Sequence, residues 1–270
     1  MNRRRLAQSL VATLVATLGG ARVALAQPAD EFGGDPFRSF QWPDLQREFL
    51  GGAPVRFDAR VQVRGPAFAE DSMNVPITVS ASGLANVEVI TILVDRNPIR
   101  KVLEYFPLGA VPSVSFRFKL EQASPVRAAV RTSDGVWHVG GVLVDSAGGG
   151  CTAPGATRSD GSWAQTLGAV TGRVFPSSAA PGEPSGGALT RLRVRVMHPM
   201  DTGLVGGIPA FYVNRLALRD AQGRELLRLN AFEPVSENPV FSFDFADPPP
   251  GRLRLLGTDN NGNRIDSVIE

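Results

Sequence analysis

Cysteine is almost missing from this sequence, and the single copy, Cys151, already limits what the chain can be. One thiol rules out any disulfide within the chain, so folding must rest on burial of an apolar core. Histidine is nearly as scarce, with only His138 and His198. One Cys and two His fall short of the usual closed zinc site. A Cys–His nucleophile would need one of those rings fixed beside the sulfur and oriented by a third group. Both instead read as ordinary polar histidines, His138 in a strand and His198 just after one. No glycine-rich loop sits on a strand-to-helix turn, so no nucleotide cofactor is expected, nor any other. The polar run Asp259 to Asn263 is not a calcium loop, because the sixth position, which an EF-hand reserves for Gly, is Arg264. It reads as an Asn-Gly hairpin turn.

Long apolar runs are also lacking. The longest lies at the N-terminus, from Leu6 to Leu18, between the basic start Met1-Asn2-Arg3-Arg4-Arg5 and the small-residue site Ala24-Leu25-Ala26. Those three parts make a secretory signal peptide over residues 1–26, too short to span a bilayer. The arginine cluster partly matches a twin-arginine signal, so export by either general route fits. No later stretch reaches 18 unbroken apolar residues, so no stable membrane insertion is expected. Residues 1–26 hold four arginines and no acid, which leaves 24 basic against 26 acidic side chains in the remaining 244 residues. The mature chain is therefore slightly acidic, and the high isoelectric point of the precursor does not point to nucleic acid.

What is present is two-residue periodicity. After a Gly-, Pro- and Asp-rich lead-in, Trp42, Leu45 and Phe49 mark one face of a short helix that stops at Gly51-Gly52. Strands are predicted over 57–64, 75–81, 87–94, 101–106, 114–120, 126–132 and 136–144, and Ser133-Asp134-Gly135 is a hairpin turn. A Pro- and Gly-rich joint follows, within which 164–175 is apolar enough to pack on something. Further strands are predicted over 190–197, 211–219, 224–231, 239–245, 251–258 and 263–269. Arg191, Arg193 and Arg195 alternate with Leu192, Val194 and Val196, a half-buried strand with a basic outer side. The class is all-β: two antiparallel sandwiches in one chain.

Between the two sets of strands lies Ser146-Ala147-Gly148-Gly149-Gly150-Cys151-Thr152-Ala153-Pro154. Consecutive glycines predict a flexible tether. From Asp145 the arm could carry the sulfur roughly 20 Å if extended, at about 3.3 Å per residue. No Lys or Arg lies within six residues of Cys151 to depress its pKa, so the thiol reads as ordinary. An exposed thiol on a leash points to covalent attachment of something that other proteins act on. An inert linker cysteine and a cysteine paired between two chains remain the alternatives.

Several motifs, taken in order, carry a resemblance. Ala67-Phe68-Ala69-Glu70-Asp71, Val75-Pro76-Ile77-Thr78-Val79, Asp95-Arg96-Asn97-Pro98, Ser133-Asp134-Gly135 and Gly149-Gly150-Cys151 resemble SoxY, the sulfur-carrier subunit of the thiosulfate-oxidising Sox system. His198-Pro199-Met200-Asp201-Thr202-Gly203, Pro209, Asn238-Pro239, Phe241-Ser242-Phe243 and Asp259 to Gly262 resemble its partner SoxZ. Both halves in one chain look like the fused SoxYZ-like carriers associated with quinoprotein dehydrogenases. After the signal peptide (1–26) and a lead-in whose composition predicts disorder (27–41), the resemblance divides the chain into a SoxY-like sandwich (42–147), a carrier arm (148–155), a linker (156–188) and a SoxZ-like sandwich (189–270).

The resemblance implies immunoglobulin-like sandwiches that pair with each other, here within one chain. It implies that Cys151 holds a sulfur intermediate while separate periplasmic enzymes, of Sox type or a quinoprotein dehydrogenase, process it. Gly148, Gly149 and Gly150 would be its arm, with no catalytic residue and no metal. In SoxY the cysteine lies within a glycine pair on each side at a free C-terminus. Here Thr152-Ala153-Pro154 follow it and the chain continues for 119 residues, so the arm is tethered at both ends. Such an arm needs an open cleft or a threaded loop in its partner. The alternative is an accessory or assembly module for the dehydrogenase, with Cys151 incidental.

Overall fold

Alternating apolar and polar residues become strands almost wherever the sequence shows them. The computed structural model describes residues 32–158, 161, 163–176, 189–249 and 251–269. The expected signal peptide, the first part of the lead-in and residues 177–188 of the expected linker lie outside the described residues.

Helix α1 (Trp42–Leu50) forms where its periodicity predicts, with Pro43 in the first turn and Gly51 closing it in the left-handed conformation. Strands β1 (Val55–Phe57) and β2 (Gln62–Arg64) replace the single strand expected over 57–64, because Asp58 turns the chain and accepts the Arg60 amide. Strands β3 (Phe68–Ala69), β4 (Val75–Ser80), β5 (Val87–Val94), β6 (Lys101–Phe106), β7 (Ser113–Phe118), β8 (Ser124–Thr132) and β9 (Trp137–Ser146) complete the first half. A 3-10 turn (Ala156–Arg158), helix α2 (Trp163–Thr166) and strand β10 (Val170–Pro176) follow. Then come β11 (Thr190–Val196), β12 (Val213–Arg219), β13 (Glu225–Ala231), β14 (Val240–Phe245), β15 (Leu253–Asp259) and β16 (Arg264–Ile269).

These strands make two sheets, and each sheet draws on both halves of the chain. The larger runs β1-β9-β8-β5-β6-β13-β12-β15-β16, with β3 beside β9, and the smaller runs β10-β11-β14-β7-β4-β2. The halves meet edge to edge twice, β6 against β13 (Tyr105 opposite Leu229) and β7 against β14 (Val114 opposite Phe243). Pairing removes four strand edges that would otherwise expose unsatisfied backbone groups. Between the sheets lies one apolar core that spans the junction, where Tyr105 of the first half stacks on Phe243 of the second at 5.5 Å. Each such buried aromatic contributes about 1.5–3 kcal/mol.

Two expectations change. Residues 32–41, expected to be disordered, are fastened to the sheet: Arg127, fully buried in β8, donates to both oxygens of Asp35 (2.6 and 2.8 Å) and to Asp95 (2.7 and 2.8 Å). The guanidinium also stacks on Trp42, which is buried with Leu45 and Leu50 against Ala129, Trp137 and Val139. A buried charge requires such partners, and the lead-in supplies one. The expected linker is also structured in part. Residues 170–176 form β10, which pairs along its whole length with β11, and Gly172 lets the strand lie against Ile269 of β16. That is where the apolar stretch packs.

Candidate functional site: the Cys151 clamp

Cys151 is held inside the protein, with no exposed surface. The glycines before it serve a seat where a tether was expected. Strand β9 delivers the chain to Ser146, whose hydroxyl accepts the Gly148 amide (3.0 Å). Gly148 and Gly149 then turn in the left-handed region, φ 91° and 81°, which glycine adopts without strain. Their successor is fixed by space: a Cβ on Gly150 would lie 2.1 Å from the Ser72 carbonyl oxygen and 2.7 Å from that of Leu120. The Gly149 and Gly150 amides donate to the Glu121 and Leu120 carbonyls (3.0 and 3.1 Å), so the arm is laced to the segment after β7.

That segment supplies one jaw of the clamp. Glu121 accepts the Cys151 amide at Oε2 (3.0 Å) and the Thr152 hydroxyl at Oε1 (2.9 Å). The thiol donates weakly to the Lys119 carbonyl (3.5 Å). Asn97 braces this jaw, donating to the Lys119 carbonyl and accepting the Glu121 amide (both 2.8 Å). The second jaw comes from the other half of the chain. Thr202 donates its hydroxyl to the Cys151 carbonyl (2.7 Å), and the buried Lys119 ammonium crosses over to the Met200 carbonyl.

His198 sets the shape of that second jaw. Its Nδ1 accepts the Met200 amide (3.1 Å), which leaves the proton on Nε2, facing Asp259 Oδ2 at 3.4 Å. The ring packs on Phe211 at 4.3 Å. Asp259 also accepts the Asn261 and Asn263 amides (both 2.9 Å), so the expected hairpin turn does double duty. His138 is occupied elsewhere, with Nδ1 2.8 Å from Asp58.

Electrostatics follow from burial. Desolvation, reinforced by the Glu121 carboxylate, pushes the Cys151 thiol up to about 12, while Lys119 pulls the other way. Burial in turn lowers the Lys119 ammonium below its ordinary value, against the nearby Asp201, Cys151 and Glu237. In this seat the sulfur is a neutral thiol, a poor nucleophile shut off from solvent. The expectation of a mobile, exposed thiol is overturned, because the amides of Gly148, Gly149, Gly150 and Cys151 all find protein acceptors and Gly150 is packed against the Ser72 and Leu120 backbone. Sequence reasoning missed Lys119 and Glu121 and gave no role at Cys151 to Asn97 and Thr202, which entered only within the resemblance motifs; none of the four is near Cys151 in the chain.

The chain that folds into this two-sheet sandwich matches two family models, one after the other. Residues 46–151 match sulfur oxidation protein SoxY, and residues 179–269 match sulphur oxidation protein SoxZ. The chain is thus a SoxY–SoxZ fusion and belongs to the sulfur-oxidation proteins of that type. Cys151 is the last residue of the SoxY match, and β10 lies in the gap between the two. A solved structure of the sulfur carrier protein SoxY from Chlorobium limicola f thiosulfatophilum is 22% identical, with a TM-score of 0.35, over 39% of this chain and 96% of its own. No curated protein matches the chain.

Proposed function

We propose that this protein is a periplasmic carrier that holds a sulfur-containing intermediate covalently on Cys151, exported by the N-terminal segment 1–26 and acted on by separate enzymes. The observation that carries the reading is the place of Cys151: it ends the SoxY match, as the chain's sole thiol, and the residues that seat it come from both family halves. Joining its sulfur to the sulfane sulfur of a thiosulfate-type anion forms one S–S bond and releases one proton and two electrons. An electron-accepting partner enzyme is therefore part of the reading. The seated thiol is too enclosed to be loaded in place, so the arm must leave the clamp when a partner docks. Gly148 and Gly149 allow that motion, and Glu121, Thr202 and the Gly150 seat oppose it.

Intact-protein mass spectrometry on material isolated without reductant, while sulfur oxidation runs, tests this. A mass increase in steps of sulfur or sulfur oxides, localised to Cys151 and lost on reduction, is the expected result. A free thiol throughout, or a Cys151→Ser strain that oxidises sulfur normally, would sink it. The burial of Cys151 favours a second reading, an accessory module for a quinoprotein dehydrogenase with an incidental thiol. In that case the two proteins co-purify and Cys151→Ser changes nothing.

A further inference from the structure

The outward face of the smaller sheet is strongly basic, and nothing in the clamp uses it. Cross-strand partners share a face, and the register sets one row straight across the sheet: Arg64, Thr78, Ser115, Ser242, Arg193 and Arg173. Beside that row Arg195 lies opposite Thr171 and Val240, Arg117 opposite Pro76, and Arg191 opposite Phe175 and Asp244. Six arginines therefore point outward. The strand residues of this face include one acid, Asp244, already engaged by Arg191 (2.7 and 3.0 Å) and by Ser113. Among the described residues no carboxylate lies within ion-pair reach of the other five.

Arg173 directly opposite Arg193 is costly for a sheet, since like charges at that spacing repel. Arg173 lies on β10, a strand that falls outside both family matches and that the chain adds to the sheet edge beside β11. The same strand leaves Val174 and Phe175 partly exposed, with the Arg173 guanidinium over the Phe175 ring. A shallow groove of about 380 Å³, lined by Arg173, Phe175, Arg193, Arg195 and Val240, runs between them.

We infer that this arginine face is the docking surface for an acidic patch on a partner protein, the one that takes up or discharges the Cys151 cargo. The inference deepens the carrier reading and rests on it for the partner's task. Three features fit a folded protein. Six strands at about 4.8 Å spacing make a broad face wide enough for a standard interface. Hydroxyls of Thr78, Ser115 and Ser242 between the arginines offer hydrogen bonds, and Val240 and Phe175 offer apolar contact. Position is the third. Strands β7 and β11 both run antiparallel to β14, so they point the same way, and they lead into Lys119–Glu121 and His198–Met200, the two jaws of the clamp. A partner seated on this face therefore meets Cys151 at its rim.

The test places a photo-crosslinking amino acid at Ser242 of the full chain in its own cells, then purifies the captured protein and measures its binding. The expected result is capture of an acidic protein whose affinity falls with salt and drops on the order of a hundredfold in Arg173→Glu/Arg193→Glu/Arg195→Glu, through lost charge complementarity. Arg193→Ser/Arg195→Ser, with an unchanged melting temperature, should weaken it less. Failure to capture, or equal binding by the triple variant, would overturn the inference. So would stronger arginine-dependent binding of phosphatidylglycerol vesicles or of inorganic sulfate than of the captured protein. Cys151→Ser should bind like the natural chain, so an adduct-free Cys151 would sink the carrier reading while leaving the affinity measurement intact.

Discussion

At Glu121 one carboxylate closes the clamp, and its removal is the most direct way to open it. Two hydrogen bonds to a charged acceptor, each contributing about 1.5–3 kcal/mol where well formed, hold Cys151 and Thr152 in place. Glu121→Ala is expected to speed alkylation of Cys151 by roughly tenfold or more, as a net loss of only about 1.4 kcal/mol suffices for that factor. An unchanged iodoacetamide rate would show that the seat is held by packing alone. The raised thiol pKa makes a second prediction. Up to about pH 9 both folded and unfolded thiols are protonated; between there and about 12 the unfolded chain ionises while the seated thiol stays neutral. Stability therefore falls with rising pH across that window. Cys151→Ser should flatten the decline in urea titrations, leaving the part due to Tyr105, which burial also shifts upward.

Among the elements, the lead-in and β10 are held by contacts that only the fold creates. Asp35 would be raised by burial, but hydrogen bonds from Arg127 and Ser39 hold it below the ordinary carboxylate range. Its contribution is present above about pH 4 and lost as pH falls below that. Asp35→Ala leaves Arg127 with Asp95 alone, and should cost about 3 kcal/mol in urea unfolding and expose residues 32–41 to protease. Loss of less than 1 kcal/mol would mean that Asp95 and Trp42 suffice. Local pattern made α1, most strands and both hairpin turns legible, because helix and strand periods are written in neighbouring residues, whereas β3 and β10 went unpredicted. The clamp was not legible for the opposite reason. Three glycines before a cysteine read as a tether until Ser72, Glu121 and Thr202 are brought against them, 79, 30 and 51 residues away. Chain order likewise shows that Arg191, Arg193 and Arg195 share a side, but not that Arg173 joins them.

For the whole molecule, both sheets and the core pass through the junction between the halves, so the halves should not melt separately. Calorimetry is expected to show one transition with equal calorimetric and van't Hoff enthalpies. Two resolved transitions would contradict the shared core. The covalent link has a further consequence. When such halves are separate chains, the β6–β13 and β7–β14 edges find each other only as often as concentration allows, and dilution opens them. Within one chain the second half stands at an effective concentration of the order of millimolar. Glu121 and Thr202, one from each half, therefore keep their hold on the sulfur however scarce the protein becomes.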